Sequence, residues 1–474
     1  MDQGRRSTLV TLIARYVDAA MPIAMSNLQQ QELIGLPSGR WRSVGPSQFQ
    51  REDVVQLSWV VALDRRAAQL HALREFHEAV AFVESNEAWR QQLDTLVGTW
   101  QSRTRLEKSS LLDRCLADAL SARVEGRDPA EAVQNRAESI EAFLDASHLS
   151  IESLSPLLGF SAPNVGRIQI DSNVSIEPIT EVEAERLFSV GLLMPTMPTF
   201  PFIHAPSHMV RASYSTPKVV GERELSEELQ AQFLDNQRMM EESIADLVVS
   251  LRLLKPGLVG LSGRVTGTFS SYLGSGYNMS PGRAPWPFHM PTYSFDPSDV
   301  DNLLELWLRL HSVGARNTKH LILAARRFSY KGDRTRVDDQ LVDLIVAAEA
   351  LFLGDADEDA RGELRFRLSS RAAAYVHDPV RSNRSIFRLL MAAYRLRSRL
   401  VHGGDAKPVK VDGEQFTAEQ MVEVVENLLR AALKQAFQEA SAKSRRWTVD
   451  WDALLFPATD VGTANNGDRA PPTG

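Results

Sequence analysis

The sequence predicts a mainly α protein, with an N-terminal helical region, a small α+β middle region and a C-terminal α-helical bundle. Three observations predict this organisation: apolar residues recur at helical spacing towards both ends, they alternate only in the middle, and glycines and prolines gather before the last part. A chain of 474 residues also has room for two or three domains. We therefore expect regions at 1–155, 156–298 and 299–446, and a tail at 447–474 whose last part is disordered.

The N-terminal region carries helix signals and no recognisable functional motif. Helical patterns run from Glu52 to Val83 and from Ala88 to Val124. Asp128-Pro129 then provides a capping side chain and a first-turn proline for a further helix. Cys115 is the single cysteine, so neither a disulfide framework nor a cysteine-based zinc site is available, and we expect it to be a small core residue.

The middle region changes to a strand pattern. Apolar residues alternate across Ile168–Ile176 around a polar turn, which predicts a β-hairpin. Thr180 and Glu183 have the spacing of a capping box before a short helix. We expect another strand over Met209–Val220 and a long helix over Leu225–Leu254.

Two features of the middle region resemble binding sites only superficially. The glycine-rich segment Gly257–Gly276 lacks the Lys-Ser/Thr pair of a phosphate-binding loop, which favours loops or glycine-tolerant strands. His204 and His208 have a spacing that suits chelation on a helix, but neighbouring prolines predict a loop and no third ligand is evident. We expect no metal and no cofactor.

The C-terminal region shows sustained helical periodicity and predicts a bundle. Trp447, Trp451, Leu454 and Phe456 follow it, and these residues could dock back onto the bundle. The predicted helices are Asp299–Val313, Thr318–Phe328, Val337–Leu353, Gly362–Tyr375, Asn383–His402 and Thr417–Ser441.

Charge is distributed unevenly along the chain. The net charge is −7, but residues 361–410 hold 12 Lys or Arg against 3 Asp or Glu, a local surplus of +9. Such a density suits a phosphate-backbone partner, and a solvated arginine-rich helix surface is the alternative. No stretch approaches the length of a membrane span, and an N-terminal amphipathic helix is expected instead of an export signal. We therefore expect a cytoplasmic protein without a membrane partner.

The most informative stretch is Asn383–Asp405, where an apolar stripe at helical spacing ends at two glycines. Arg397 falls inside that stripe on an ideal helical wheel. A guanidinium there is costly to bury unless a carboxylate or a phosphate meets it. His402 follows at the helix end, immediately before Gly403.

These residues resemble the HEPN domain family, whose signature is an arginine, four to six residues and then a histidine at a helix C-terminus. The order of four blocks is similar to the Apea-like branch and covers roughly Asp299 to Ala442. Those blocks are AARRF (324–328), VDDQLVDLIVAAEALF (337–352), LSSRAAA (368–374) and YRLRSRLVHGG (394–404). The resemblance implies a HEPN-type α-helical bundle, many examples of which are metal-independent endoribonucleases acting as dimers.

The resemblance also implies roles for individual residues. His402 would act as acid/base on single-stranded RNA and Arg397 would stabilise charge on the phosphate, in a toxin or antiviral defence role. Ser398 stands where nuclease members commonly carry Asn, Asp or His, and Tyr394 lies one turn ahead of Arg397. Arg371, Arg395 and Arg399 are candidate RNA contacts.

Helix geometry leaves an alternative open. Five residues rotate an ideal helix by about 140° and advance it by about 7.5 Å, so Arg397 and His402 do not share a face. Arg395, Ser398, Arg399 and His402 do share one. In the alternative interpretation Arg397 is buried against Glu349, and the domain is an inactive module for RNA or protein binding and dimerisation.

Overall fold

The fold is known from a computed structural model, which describes residues 3–26, 34–45, 48–99, 102–189, 192, 206–222, 226–269, 277–281, 293–354, 363–405 and 407–456. The prediction of a mainly α protein is wrong, because the structure contains several sheets, one of them seven-stranded, in addition to its helices and is therefore mixed α/β. The chain forms two compact units. Unit 1 comprises 1–245 and 258–297, and unit 2 comprises 246–257 and 298–474.

The helices of unit 1 lie mostly in its N-terminal part. Buried residues of the first helix, including Leu9, Ile13 and Tyr16, pack into one core with apolar residues of three later helices, which span 74–84, 108–124 and 129–145. Cys115 is buried in this core, as predicted. The helices are α1 (Gln3–Met25), α2 (Val60–Leu70), α3 (Arg74–Glu84), α4 (Glu87–Arg90), α5 (Lys108–Val124), α6 (Pro129–Asp145) and α7 (Glu181–Ser189). Helix α8 (Glu227–Leu254) begins in unit 1, and its residues from Asp246 onward belong to unit 2.

Helix α1 contains a window, Thr8–Met25, that is long and apolar enough to cross a membrane. The expectation that no stretch has this length is therefore wrong. Of this window, 39% is buried within the protein, including Val17 and Ala20. The cytoplasmic location and the absence of a membrane partner stay predictions.

The strands of unit 1 were largely missed by the sequence patterns. They are β1 (Ile34–Gly45), β2 (Gln48–Ser58), β3 (Leu96–Gly98), β4 (Arg103–Arg105), β5 (His148–Leu158), β6 (Phe160–Ser161), β7 (Ile168–Gln169), β8 (Val174–Pro178), β9 (His208–Pro217), β10 (Val219–Val220), β11 (Gly260–Leu261), β12 (Gly263–Gly267), β13 (Tyr277–Pro281) and β14 (Tyr293–Ser294). The seven-stranded sheet has the order β13-β12-β5-β9-β8-β7, and β11 pairs with β5.

Two segments explain the error in fold class. Residues 52–58, predicted to be helical, lie in β2, which pairs antiparallel with β1. Strand β5 is central in the sheet and its residues are buried on both faces from Ile151 onward, so it lacks the alternation that marks a half-exposed strand. The predicted boundary at 155/156 falls inside this strand, where Ser155 pairs with Val210 of β9.

Several local predictions in unit 1 are confirmed. Ile168 pairs with Ile176 in the β7–β8 hairpin, and β9 forms where a strand was expected. The Thr180 amide donates to Glu183 Oε2 at 3.0 Å and the Glu183 amide donates to Thr180 Oγ1 at 3.4 Å, as a capping box requires. The glycine-rich segment forms strands β11 and β12 as far as it is described, and 270–276 lie outside the described residues.

Unit 2 contains a helix in each of the six predicted segments. They are α9 (Asp299–Leu310), α11 (Lys319–Tyr330), α12 (Val337–Leu353), α13 (Leu364–Tyr375), α14 (Asn383–Val401) and α15 (Ala418–Ser441). Three short elements that were not predicted are α10 (Val313–Arg316), a 3-10 turn (Lys331–Asp333) and α16 (Trp451–Leu455). A short hairpin, β15 (Val409–Val411) and β16 (Glu414–Phe416), precedes α15. Trp447 and Trp451 pack into the core as expected, whereas Phe456 is exposed. The predicted disorder at the end of the tail lies outside the described residues.

The end of α8 is an integral part of unit 2. Val249 and Leu253 belong to its apolar core, and the Arg252 side chain is buried. The Arg252 guanidinium donates to Asp333 Oδ1 at 2.6 Å, while the Arg430 side chain donates to the Arg252 carbonyl at 3.2 Å. The expected bundle over 299–446 therefore lacks one of the elements that complete its core.

Candidate functional site

Helix α14 carries most of the predicted site, and its sequence explains its position. Ser382 caps its first turn by accepting a hydrogen bond from the Ser385 amide at 3.3 Å. Its buried residues, among them Ile386, Leu390 and Leu396, recur at helical spacing and face α12, α13 and α15. The opposite face is left for polar side chains.

The C-terminus of α14 is closed by the two glycines. Gly403 has a φ of +75°, a left-handed conformation that glycine adopts without steric cost. Its amide donates to the Leu400 carbonyl at 3.0 Å, and the Gly404 amide donates to the Arg399 carbonyl at 2.9 Å. This is a Schellman motif, which ends the helix at Val401 and leaves His402 exposed as its C-cap residue.

A solvent-open groove with a volume of about 770 Å³ runs along the polar face of α14. Its walls come from two helices of unit 2, α13 and α14, together with residues at the ends of these helices. The lining residues are Glu363, Leu364, Arg365, Phe366, Met391, Tyr394, Arg395, Ser398, Arg399 and His402. The predicted shared face of α14 is therefore present, and it forms one wall of the groove.

The groove contains arginines that have no acidic partner among the described residues. Arg365, Arg395 and Arg399 form no ion pair with any part of the chain that the structure describes. Other arginines of unit 2 do find carboxylates: Arg381 lies 3.3 Å from Asp378 and Arg430 lies 2.6 Å from Glu426. Open guanidinium groups next to one another favour an anionic ligand.

Arg397 is not brought together with His402. It does not line the groove, and its side chain is half-buried on another face of α14. Its Nε is buried and has no hydrogen-bond acceptor among the described residues. The predicted ion pair with Glu349 is not formed either, since no oxygen of Glu349 lies within 4.0 Å of the Arg397 nitrogens. The helical rotation of about 140° between positions 397 and 402 accounts for the separation.

Glu349 is engaged with Tyr394 instead. Burial raises the pKa of Tyr394 above its usual value of 10, and the charge of Glu349 and its hydrogen bond with the phenol raise that pKa further. The charges of Arg397 and Arg365 oppose this shift. Tyr394 thus stays protonated and links the groove to Glu349 on α12.

Arg371, a predicted RNA contact, is occupied elsewhere. Its guanidinium donates to the Phe352 carbonyl at 2.7 Å and lies 4.8 Å from the ring centroid of Trp451. These contacts hold α13, α12 and α16 together, and Arg371 does not line the groove. Ser398 does line it, between Arg395 and Arg399 in sequence.

Sequence reasoning missed the wall that α13 provides. Arg365 and Phe366 come from this helix, and the Phe366 ring is 51% exposed although its edge contacts Phe387 at a centroid distance of 5.6 Å. A signal was present, because Leu368, Ala372 and Tyr375 mark the buried face of α13 and leave 365–366 outside it. The sequence of α13 does not show which helix lies beside this free face, because that depends on the tertiary structure.

The described part of the chain brings no three His, Cys, Asp or Glu side chains together as metal ligands. His208 is buried, with Nδ1 2.8 Å from Ser207 Oγ and Nε2 3.2 Å from the Val165 carbonyl oxygen. Both ring nitrogens therefore have contacts within the protein that stabilise the fold. Its predicted neighbour His204 lies outside the described residues.

Comparison with known proteins leaves the site to be interpreted from its own geometry. No protein-family model matches the chain, and comparisons with curated proteins and with solved structures give no match.

Proposed function

We propose that this protein is a metal-independent endoribonuclease that cuts single-stranded RNA in the groove between α13 and α14. The observation that carries the proposal is the exposed His402 in a groove with three arginines that lack acidic partners in the described structure. A histidine can exchange a proton near neutral pH, and guanidinium groups bind phosphate oxygens. The groove therefore combines an acid/base with a phosphate-binding surface.

The proposed reaction requires only an acid/base and charge stabilisation. His402 accepts the proton of a ribose 2′-hydroxyl, whose oxygen forms a bond to the adjacent phosphorus. The bond from phosphorus to the 5′-oxygen breaks, and that oxygen takes the proton from His402. The products are a 2′,3′-cyclic phosphate and a free 5′-hydroxyl. Guanidinium groups stabilise the additional negative charge on the phosphate oxygens during the transfer.

A single-stranded substrate fits the groove better than a duplex. The Phe366 ring is exposed on the wall next to Arg365, and Phe387 supports its edge. An exposed aromatic beside cations is the combination that binds unpaired bases and their backbone, since each stacked base contributes about 1–3 kcal/mol. Bases within a duplex have no free face for such stacking.

A second function is favoured by the position of Arg397. This residue was predicted to stabilise the phosphate, and it lies outside the groove. If no other group replaces it, unit 2 binds RNA without cutting it, or serves as a protein-binding and dimerisation module. A homodimer formed through unit 2 is part of both proposals.

The two functions are separated by a cleavage assay on single-stranded RNA of mixed sequence with EDTA present. We expect cutting by the wild type, a loss of at least about a hundredfold in His402→Ala, and cyclic phosphate ends on the products. His377→Ala is the matched control, because His377 is an exposed histidine of unit 2 outside the groove. Retention of RNA binding without cutting by the wild type would favour the binding module, and equal cutting by His402→Ala would refute the assignment of His402.

A further inference from the structure

We propose that Arg399, and not Arg397, is the guanidinium that contacts the RNA phosphate at His402. The inference rests on the proposed binding of RNA in the groove. Among the described residues both Arg399 and His402 line it, and Arg397 does not. Arg399 thereby takes the role that the sequence resemblance gives to Arg397.

The spacing on α14 places the two side chains next to each other. Arg399 and His402 are three positions apart, and such residues are neighbours on a helix with about 5–6 Å between their Cβ atoms. The preceding turn adds Arg395 to the same face, while Arg365 faces the groove from α13. A phosphate beside His402 therefore meets Arg399 first, and its neighbours in the strand meet the other two arginines.

The helix end holds the Arg399 stem in place. A Cβ added at Gly404 would lie 2.6 Å from Arg399 Cγ and 3.1 Å from the Arg399 carbonyl oxygen. Gly404 can therefore contact the aliphatic stem only because it has no side chain. The Gly404 amide also donates to the Arg399 carbonyl. The same motif that exposes His402 thus fixes the base of Arg399, which reduces the freedom lost when a phosphate binds.

Arg399 lines the groove and has no partner among the described residues, whereas the Arg397 side chain is half-buried outside the groove. The Arg399 guanidinium forms no ion pair or hydrogen bond with the described residues. The charge of Arg397 acts on Tyr394 and opposes the rise in the pKa of that phenol, and the Arg397 Nε is buried. Because positions 397 and 402 are about 140° apart on an ideal helix, Arg397 would have to extend around α14 to reach a phosphate beside His402.

Kinetics of two matched variants test the inference. Arg399→Met and Arg397→Met both remove a charge from α14 and keep an apolar stem of similar length. We expect Arg399→Met to lower kcat by about 100- to 1000-fold, the effect of losing one charge-stabilising donor, and Arg399→Lys to recover part of the loss. Arg397→Met should keep kcat within about threefold once equal folding is shown by circular dichroism and thermal unfolding. The opposite ranking of the two variants would overturn the inference.

RNA binding provides a test that does not depend on cleavage. The probe is a single-stranded oligonucleotide whose 2′-hydroxyls are methylated, which removes the nucleophile. We expect Arg399→Met to reduce the slope of log Kd against log salt concentration by about 0.7, as one lost phosphate contact does for single strands. Arg397→Met should leave the slope unchanged, and so should Arg384→Met, an exposed arginine of α14 outside the groove.

The two assays distinguish failure of the inference from failure of the proposed function. An unchanged salt slope in Arg399→Met refutes the phosphate contact, whether or not the wild type cuts RNA. A reduced slope with no cutting by the wild type keeps the contact and refutes the nuclease. Absence of RNA binding by the wild type refutes both.

Discussion

Each unit contains a charged cluster with arginine, and the two clusters differ in whether the arginine side chains have acidic partners. In unit 1, Arg211 of β9 lies among Glu152, Glu177 and Glu183, with Nη1 2.5 Å from Glu152 and Nε 2.9 Å from Glu177. In unit 2, the groove arginines have no acidic partner in the described structure. Charge density alone therefore does not identify a binding surface. The two clusters are distinguished by whether their arginines are paired with carboxylates of the same chain.

The sequence context of the two clusters makes the same point. The glutamates around Arg211 come from β5, β8 and α7, and each is no more than 14% exposed, so the cluster is closed by tertiary contacts. The groove arginines come from two adjacent helices and face solvent. A saturated cluster contributes to the fold of its unit, and an open one is available to a ligand.

The largest expected effect is on unit 1. Arg211→Ala leaves three largely buried carboxylates without their shared partner, and we expect the free energy of unfolding to fall by about 3 kcal/mol. Denaturant unfolding followed by circular dichroism measures this change. Arg395→Ala is the matched variant in the groove, where stability should stay within about 0.5 kcal/mol of the wild type. Equal stability of the two variants would remove the distinction between the clusters.

Acidification should weaken the unit 1 cluster by a smaller amount, because it neutralises individual carboxylates. Burial alone would raise the pKa of Glu177, but hydrogen bonds from Ser175 and Arg211 and the charges of Arg211 and Arg167 outweigh burial and lower this pKa below its usual 4.5. The unfolded chain thus binds the proton more readily than the folded one as pH falls. Glu177 therefore stabilises the fold above about pH 4.5, and this contribution is lost as pH falls through the lower folded pKa.

A pH series of melting temperatures for the wild type and Glu177→Gln checks this sign. The wild type should lose stability faster than Glu177→Gln below about pH 4.5. Parallel curves would show that the Glu177 carboxylate does not contribute.

The two glycines after α14 should separate stability from groove function. Gly403→Ala places a side chain in the left-handed region with no atom within 4 Å, and we expect a loss of about 1–2 kcal/mol in unfolding free energy. Gly404→Ala displaces the Arg399 stem, and we expect RNA cleavage to fall on the order of tenfold through misplacement of that guanidinium. Comparison of melting temperature with kcat for both variants checks the assignment. Normal cleavage by Gly404→Ala would show that the stem position does not matter.

The smallest effect is expected at Ser398, the uncharged member of the shared face of α14. Its hydroxyl makes no hydrogen bond with the described residues, and its removal leaves the groove charge unchanged. We expect Ser398→Ala to change kcat/KM by less than about threefold. A larger loss would assign a direct role to this hydroxyl and weaken the emphasis on the arginines.

Much of unit 2 could be predicted because amphipathic helices are encoded locally. The predicted and observed bounds of α12 agree, Val337–Leu353, and α14 ends at the glycines that the sequence indicated. The shared face with Arg395, Arg399 and His402 also follows from helical spacing alone. Arg365 and Phe366 could not be placed beside them, because the pairing of α13 with α14 is not encoded in the period of either helix.

Unit 1 shows why strands were harder to predict. The turn in the β7–β8 hairpin is local and was found, whereas β5 reaches its partners β9 and β12 more than 50 residues further on. The hairpin β15–β16 was missed despite a clear signal, since Asp412-Gly413 has φ values of +50° and +92° and is the dipeptide typical of such turns.

The division of α8 between the units has a consequence for biosynthesis. The ribosome releases residues 246–257 well before α15, whose Arg430 and Lys434 bond to carbonyls of that segment. During the translation of the intervening residues, Val249 and Leu253 lack the later helices that complete their core. The nascent chain therefore carries an exposed apolar helix end for most of the synthesis of unit 2, which is a point of susceptibility to chaperones and to self-association. For the same reason unit 2 cannot be transferred between genes as one uninterrupted segment that begins at Ser298.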